Sequence, residues 1–228
     1  MAKDFSKGSM SRNILQQAIP LAVAQLVHML YNVVDRIYIG HMPDSSGALA
    51  LTGLGITLPL ISLISACTNL IGTGAVPIFS IARGAGNEER ADRALGNAFA
   101  LLSMLSALLM AIMYLFARPL LFLFGASDAS FPYAESYLMI YLLGTPFAMY
   151  STGLNGFINA QGFPVMGMAT TVIGAVMNLV LDPLMIYGLG MGVRGAAFAT
   201  ILSQFVSSLW VLRFLFSGKK VALDRKST

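Results

Sequence analysis

Residues 164–188 read PVMGMATTVIGAVMNLVLDPLMIYG. This stretch carries a single charged residue, Asp182, and no Lys or Arg. A hydrocarbon core of about 30 Å needs about 20 apolar residues in helical form, so the stretch is long enough to cross a membrane. A backbone in lipid must satisfy its own N–H and C=O groups, so the crossing has to be a helix. On that helix Asn178 and Asp182 lie one turn apart on one face, and Pro183 follows the acid directly. Proline withholds a donor and frees a carbonyl in the preceding turn.

The same reading extends over the rest of the chain. Of its 228 residues 57% are hydrophobic and only 11% are charged, against about 25% in soluble domains. Apolar runs predict helices at about 14–39, 49–81, 92–117, 132–160, 164–188 and 194–216. The breaks between them are turn and charge clusters: 41–47, 83–90, 125–128, 161–164 and the Gly-rich 188–195. The expected fold is an all-α integral membrane bundle of six transmembrane helices. Residues 1–13 form a polar tail, 14–216 the membrane body and 217–228 a basic tail, with no long linker and no strong internal repeat. Lys3, Lys7 and Arg12 imitate the basic start of a signal peptide, but the apolar stretch from Ile14 to Gly40 is too long and lacks a cleavage site, so it reads as a retained first helix.

Lys and Arg set the orientation. With the amino terminus cytoplasmic, Lys3, Lys7, Arg12, Arg83, Arg90, Arg93, Arg213, Lys219, Lys220, Arg225 and Lys226 fall inside and only Arg36, Arg118 and Arg194 outside. Both termini are therefore expected in the cytoplasm, with the protein in the plasma membrane. The net charge of +4 does not point to nucleic acid, because the basic residues sit between apolar runs and not on an amphipathic, aromatic-rich surface. Cys67 has no second cysteine to pair with.

Enzyme chemistry finds no support. His28, His41 and Cys67 lack metal-ligand spacing, and the glycines at 188, 190 and 192 lack the Lys or acid of a nucleotide loop. No cofactor is expected. Energy for transport would come from an ion gradient, from substrate flow or from a further subunit.

A charge near the bilayer centre costs several kcal/mol, so one that persists faces a cavity or a partner. Of the ten acids only Asp35 and Asp182 fall well inside the spans. On the first helix Gln25, His28, Asn32 and Asp35 recur at spacings of three, four and three, a narrow face fit to line a wet pathway. Pro20 on the same helix predicts a kink. A carboxylate at 182, a carboxamide at 178 and a freed carbonyl are hard oxygen ligands for Na⁺ or partners for a proton; a structural network between helices is the bland alternative. Tyr137, Tyr141, Thr145, Thr152, Asn155 and Asn159 share roughly one face of the fourth helix, and Thr200 and Gln204 lie one turn apart on the sixth. Both sets fit a substrate path or interhelical glue. Fourteen Met and fourteen Phe offer a soft lining for lipophilic ligands as well as ordinary packing.

Several segments together resemble the multidrug and toxic compound extrusion (MATE) family: Ile19-Pro20 with Tyr31-Asn-Val-Val-Asp35-Arg-Ile-Tyr-Ile-Gly40, then Asn159-Ala-Gln161-Gly162-Phe-Pro164, then Asn178-Leu-Val-Leu-Asp182-Pro183, then Gly192-Val-Arg-Gly195-Ala-Ala-Phe-Ala-Thr200. Members have twelve helices in two six-helix lobes, with the substrate cavity between them and alternating access by their relative movement. The resemblance covers the amino-terminal lobe and implies that a second six-helix lobe is missing here. It further implies a cation site at Asp35, Asn178, Asp182 and Thr200, most similar to the DNA-damage-inducible and archaeal branch. Asp35 and Asp182 would bind Na⁺ or exchange a proton, Asn178 would supply an amide oxygen and Thr200 a hydroxyl. Arg36 departs from the small or polar neighbour expected after the first acid. Gln25, His28, Asn32, Tyr141, Asn155 and Gln204 are the substrate-path candidates, and Pro20 and Pro183 the helix kinks. The implied function is export of lipophilic, often cationic compounds against H⁺ or Na⁺. Two alternatives stand beside it: flipping of a lipid-linked saccharide, which asks for a cationic cavity, and a non-transporting bundle that partners a complete transporter.

Overall fold

A computed structural model describes residues 10–42 and 46–217. The tail lysines and arginines used for orientation, at positions 3, 7, 219, 220, 225 and 226, lie outside the described residues, as does the side chain of Arg12. Helix α1 spans Met10–Gly40, α2 Ser46–Gly84, α3 Glu88–Leu115, α4 Ala117–Leu123, α5 Phe131–Leu143, α6 Thr145–Gly153, α7 Asn155–Ala160, α8 Pro164–Pro183 and α9 Val193–Phe216; a π-helical turn, Leu184–Gly188, extends α8. Five of these units are long and apolar enough to cross a membrane: α1, α2, α3, α8 with its π turn, and α9. The sixth crossing is the composite α5–α6–α7.

That composite corrects the single helix expected over 132–160. Backbone angles stay near helical at both joints, Gly144 and Leu154. Pro146, second residue of α6, has no N–H to donate to Leu142, which lets the chain step sideways at Gly144. A side chain at Gly144 would meet Ile201 Cγ1 at 2.6 Å, so the joint lies against α9. The segmented span holds the centre of the bundle: Leu138, Leu142, Met149, Phe157 and Ile158 are fully buried.

Other boundaries moved for local reasons. Helix α1 begins at Met10, earlier than the expected 14, and runs through the buried Pro20 without interruption. The charged break at 83–90 contracts to three residues, because Arg83 and Gly84 finish α2 and Asn87 caps α3 by accepting a hydrogen bond from Arg90 N at 2.9 Å. Glu88 and Glu89 then sit in the first turn of α3, where the helix dipole favours acids. Short helix α4 occupies what read as the end of span three and a loop; Arg118 from it lies 6.0 and 5.9 Å from the Phe122 and Phe131 ring centres. The Gly-rich break at 188–195 contracts to residues 189–192, with Gly190 and Gly192 at φ +64° and +56°.

Packing is close where backbones meet. A Cβ at Gly72 would fall 2.9 Å from Gly153 O, so α2 and α6 cross with no side chain between them. Polar ties between spans include Tyr114 Oη to Met139 O at 2.5 Å, Ser103 Oγ with Tyr150 Oη at 2.8 Å, and Ser207 Oγ to Thr170 O at 3.1 Å. Helix α1 is the outermost element. It packs chiefly on α8 and only lightly on α2 and α9, and Leu26, Met29 and Leu30 are each at least 60% exposed. An apolar surface of this extent suits lipid as solvent. The chain is a multi-pass membrane protein.

Candidate cation and substrate site

Helices α1, α2, α5, α6, α7, α8 and α9 surround one cavity of about 660 Å³. Its wall includes the whole α1 face read from the sequence, Gln25, His28, Asn32 and Asp35. Asn32 Nδ2 donates to His28 O at 2.6 Å and lies 3.3 Å from His28 Nδ1, and the His28 ring meets Tyr31 edge-on. From the facing elements come Tyr141, Asn155, Asn178, Thr200 and Gln204. The other substrate-path candidates therefore share this wall with the α1 face.

Asp182 is one step removed. It is 1% exposed and not in the wall, and Asn178 Nδ2, from the wall, donates to its Oδ1 at 3.1 Å. Asp35, 8% exposed, comes from α1 to meet it, and the two carboxyls interact side chain to side chain. Asp35 Oδ1 and Asp182 Oδ2 are buried with no hydrogen-bond donor. Among the described residues neither acid is held in an ion pair; Arg36, whose charge acts on Asp35, is exposed and reaches the cavity wall. Thr200, half-buried, donates its hydroxyl to Ala196 O at 3.0 Å, and the Tyr137 hydroxyl lies beside it.

All four residues are oxygen donors, gathered from α1, α8 and α9. Hard oxygens with two facing carboxyls fit a proton or a small hard cation such as Na⁺. Burial of two unpartnered carboxylate oxygens side by side is costly unless something positive is shared between them. Pro183 closes α8 immediately after the acid, and the π geometry begins there: Leu189 N donates to Leu184 O, five residues back, at 2.9 Å. Pro20 lies well away on α1 and is not in the cavity wall.

One contribution was not read in the sequence. Ser65, Thr68 and Asn69 of α2 line the cavity, although the only signal was a short polar cluster beside Cys67 in an apolar run. Tyr137, buried and stacked on Tyr141 with ring centres 6.0 Å apart, lies close to Asp35 and Thr200. Asn155 does double duty: it lines the cavity while its Nδ2 donates to Gly167 O at 3.1 Å and its Oδ1 accepts from Thr170 at 3.2 Å.

Comparisons with known proteins agree with this architecture. The chain is 27% identical over 222 residues to the multidrug export protein MepA of Staphylococcus haemolyticus, covering 96% of this chain and 48% of that protein. It is 25% identical over 210 residues to the protein of the same name from Staphylococcus saprophyticus, covering 91% and 46%. Among solved structures, a MATE in the bent conformation superposes with a TM-score of 0.84 at 29% identity, over 97% of this chain and 49% of that one. An outward-facing multidrug resistance MATE transporter of the MOP superfamily gives 0.82 at 30% identity, over 89% and 44%. The chain thus spans about half the length of the relatives it matches. The family model described as MatE matches residues 20–184, a range that runs from Pro20 of α1 to the end of α8 and holds both buried acids, and the chain belongs to that family.

Proposed function

We propose that this chain is the amino-terminal lobe of a cation-coupled exporter of lipophilic, often cationic compounds, with Asp35, Asn178, Asp182 and Thr200 as the coupling site. One observation carries the reading: two acids from different spans, both buried and unpaired by any basic group among the described residues, face each other beside a polar cavity. The half-length match to two-lobed relatives supports the lobe assignment. The excess of lysine and arginine on one side supports cytoplasmic termini in the plasma membrane.

The chemistry follows from the geometry. Two like charges about 4 Å apart repel by about 4 kcal/mol at an effective dielectric of about 20. A proton or Na⁺ shared by Asp35 and Asp182 removes that repulsion and draws α1 onto α8; its release reverses the effect. Cavity shape then follows cation occupancy, and substrate bound along Gln25, His28, Asn32, Tyr141, Asn155 and Gln204 feels the change. The second lobe supplies the opposing wall for alternating access. Of the lysines and arginines among the described residues only Arg36 lines the cavity, which speaks against an anionic lipid-linked saccharide as cargo.

The test is gradient-driven dye export in liposomes by this lobe joined to its complementary lobe. Asp35→Asn and Asp182→Asn should each abolish export, and collapsing the Na⁺ and proton gradients separately names the ion. Undiminished gradient-driven export in both variants would reject the coupling site. Vectorial export by the isolated, monomeric lobe would reject the need for a partner lobe.

A further inference from the structure

The cavity ends at the acid pair. Among the described residues, none of α1 beyond Arg36 and none of the π turn reaches its wall. Past that point the same two elements that carry the acids meet again. Tyr38, three residues after Asp35, and Tyr187, five after Asp182, cross edge-on with ring centres 6.3 Å apart. Tyr187 Oη donates to Tyr38 O at 2.5 Å. That carbonyl lies in the last turn of α1, where the bond from four residues on is not made: Met42 N turns to Ile39 O, and Tyr38 O receives only a long 3.3 Å bond from His41 N. Tyr187 therefore caps a carbonyl that α1 cannot satisfy with its usual bond. Tyr38 packs against the buried core that includes Ile39, Met42, Ile186 and Val193.

The π turn is what brings Tyr187 to this place. Its backbone is pressed by α9, since a Cβ at Gly195 would fall 2.7 Å from Met185 C and O. We propose that Tyr187 is a positioning residue that ties the end of α1 to the π turn and closes the acid pair on the side away from the cavity. While the tie holds, a cation reaches Asp35 and Asp182 through the cavity alone. This rests on the coupling role given to the acids above.

The experiment uses the full chain in lipid nanodiscs, where both faces are open to reagent. A cysteine is placed at Ile39, in a Cys67→Ala background, and its rate of reaction with a charged maleimide is measured. Tyr187→Phe keeps the ring and removes only the hydroxyl. It should speed labelling at Ile39→Cys at least tenfold while leaving a control, Leu138→Cys in the core of α5, unreactive. An unchanged rate at Ile39→Cys would overturn the tie; equal acceleration at both positions would reveal general loosening and overturn it as well. In liposomes carrying the lobe with its complement, Tyr187→Phe should also raise cation leak without substrate, and Asp35→Asn should remove that leak. Faster labelling with no Asp35-dependent leak would keep the closure and reject the coupling reading beneath it.

Discussion

Replacing Asn178 by Leu tests the local chemistry of the acid pair most directly. Asn178 and Asp182 are 2% and 1% exposed, and the 3.1 Å bond from Asn178 Nδ2 is the one donor that Asp182 Oδ1 receives, while Oδ2 has none. Removing it strands the carboxyl. A hydrogen bond to a charged group contributes about 1.5–3 kcal/mol, whereas pairs measured inside membranes average about 0.6 and reach about 1.7. The two ranges together place the loss at about 1–2 kcal/mol, a factor of about 5–30 in the folding equilibrium. Asp182→Leu alone strands the amide in turn. The double variant leaves neither member of the pair stranded by the other's loss, so it should be less destabilised than the sum of the singles by about 1–2 kcal/mol. Reversible unfolding in mixed detergent and SDS micelles measures all four corners of the cycle. Additivity within about 0.3 kcal/mol would show that the two side chains do not act as a pair, and the site as described would be wrong.

Three further outcomes follow from packing and capping. Gly72→Val places a side chain 2.9 Å from Gly153 O and should cost about 1–3 kcal/mol in the same unfolding assay, since neither backbone can yield; a neutral result would mean α2 and α6 do not cross there. Asn87→Ala removes the cap of α3 and should cost about 1 kcal/mol, with hydrogen exchange rising first at the amides of residues 88–91. Tyr114→Phe deletes the bond to Met139 O that links α3 to α5 and should cost about 0.5–1.5 kcal/mol with no change in cation dependence of export.

What could be read from the sequence divides along a physical line. Membrane spans were legible because lipid imposes one rule on every segment at once, and 164–188 obeys it with a single charge. The α1 face was legible because Gln25, His28, Asn32 and Asp35 repeat at helical spacing in a setting where polar groups are costly. The breaks at Gly144 and Leu154 were not, because an apolar run looks the same whether one helix or three carry it, and neither joint needs a left-handed residue. The cap at Asn87 was hidden inside a charged cluster that read as loop. The wall from Ser65, Thr68 and Asn69 depends on how α2 is rotated against α6, where Gly72 and Gly153 let the two backbones touch, a contact between glycines far apart in the chain.

The placement of the acids also explains why a small ion could move a large element. Helix α1 leans on α8 and has little else to hold it: its contacts with α2 and α9 are light, and much of its surface is apolar and exposed. Asp35 lies in that single substantial interface and meets Asp182 of α8 there. A change of about 4 kcal/mol between two facing carboxyls is as large as the burial of one or two apolar side chains. Placed elsewhere in the bundle, under the fully buried α5–α7 span, the same change would be spread over many contacts and shift little. Placed at the only broad seat of the outermost helix, it acts where the fewest opposing contacts stand against it. Under the proposed coupling, moving Asp35 one turn along α1 should therefore uncouple export even with the carboxyl retained. Asp35→Ala with Asn32→Asp tests this in liposomes carrying both lobes, and coupled export at the parental rate would show that the seat of the acid on α1 does not matter.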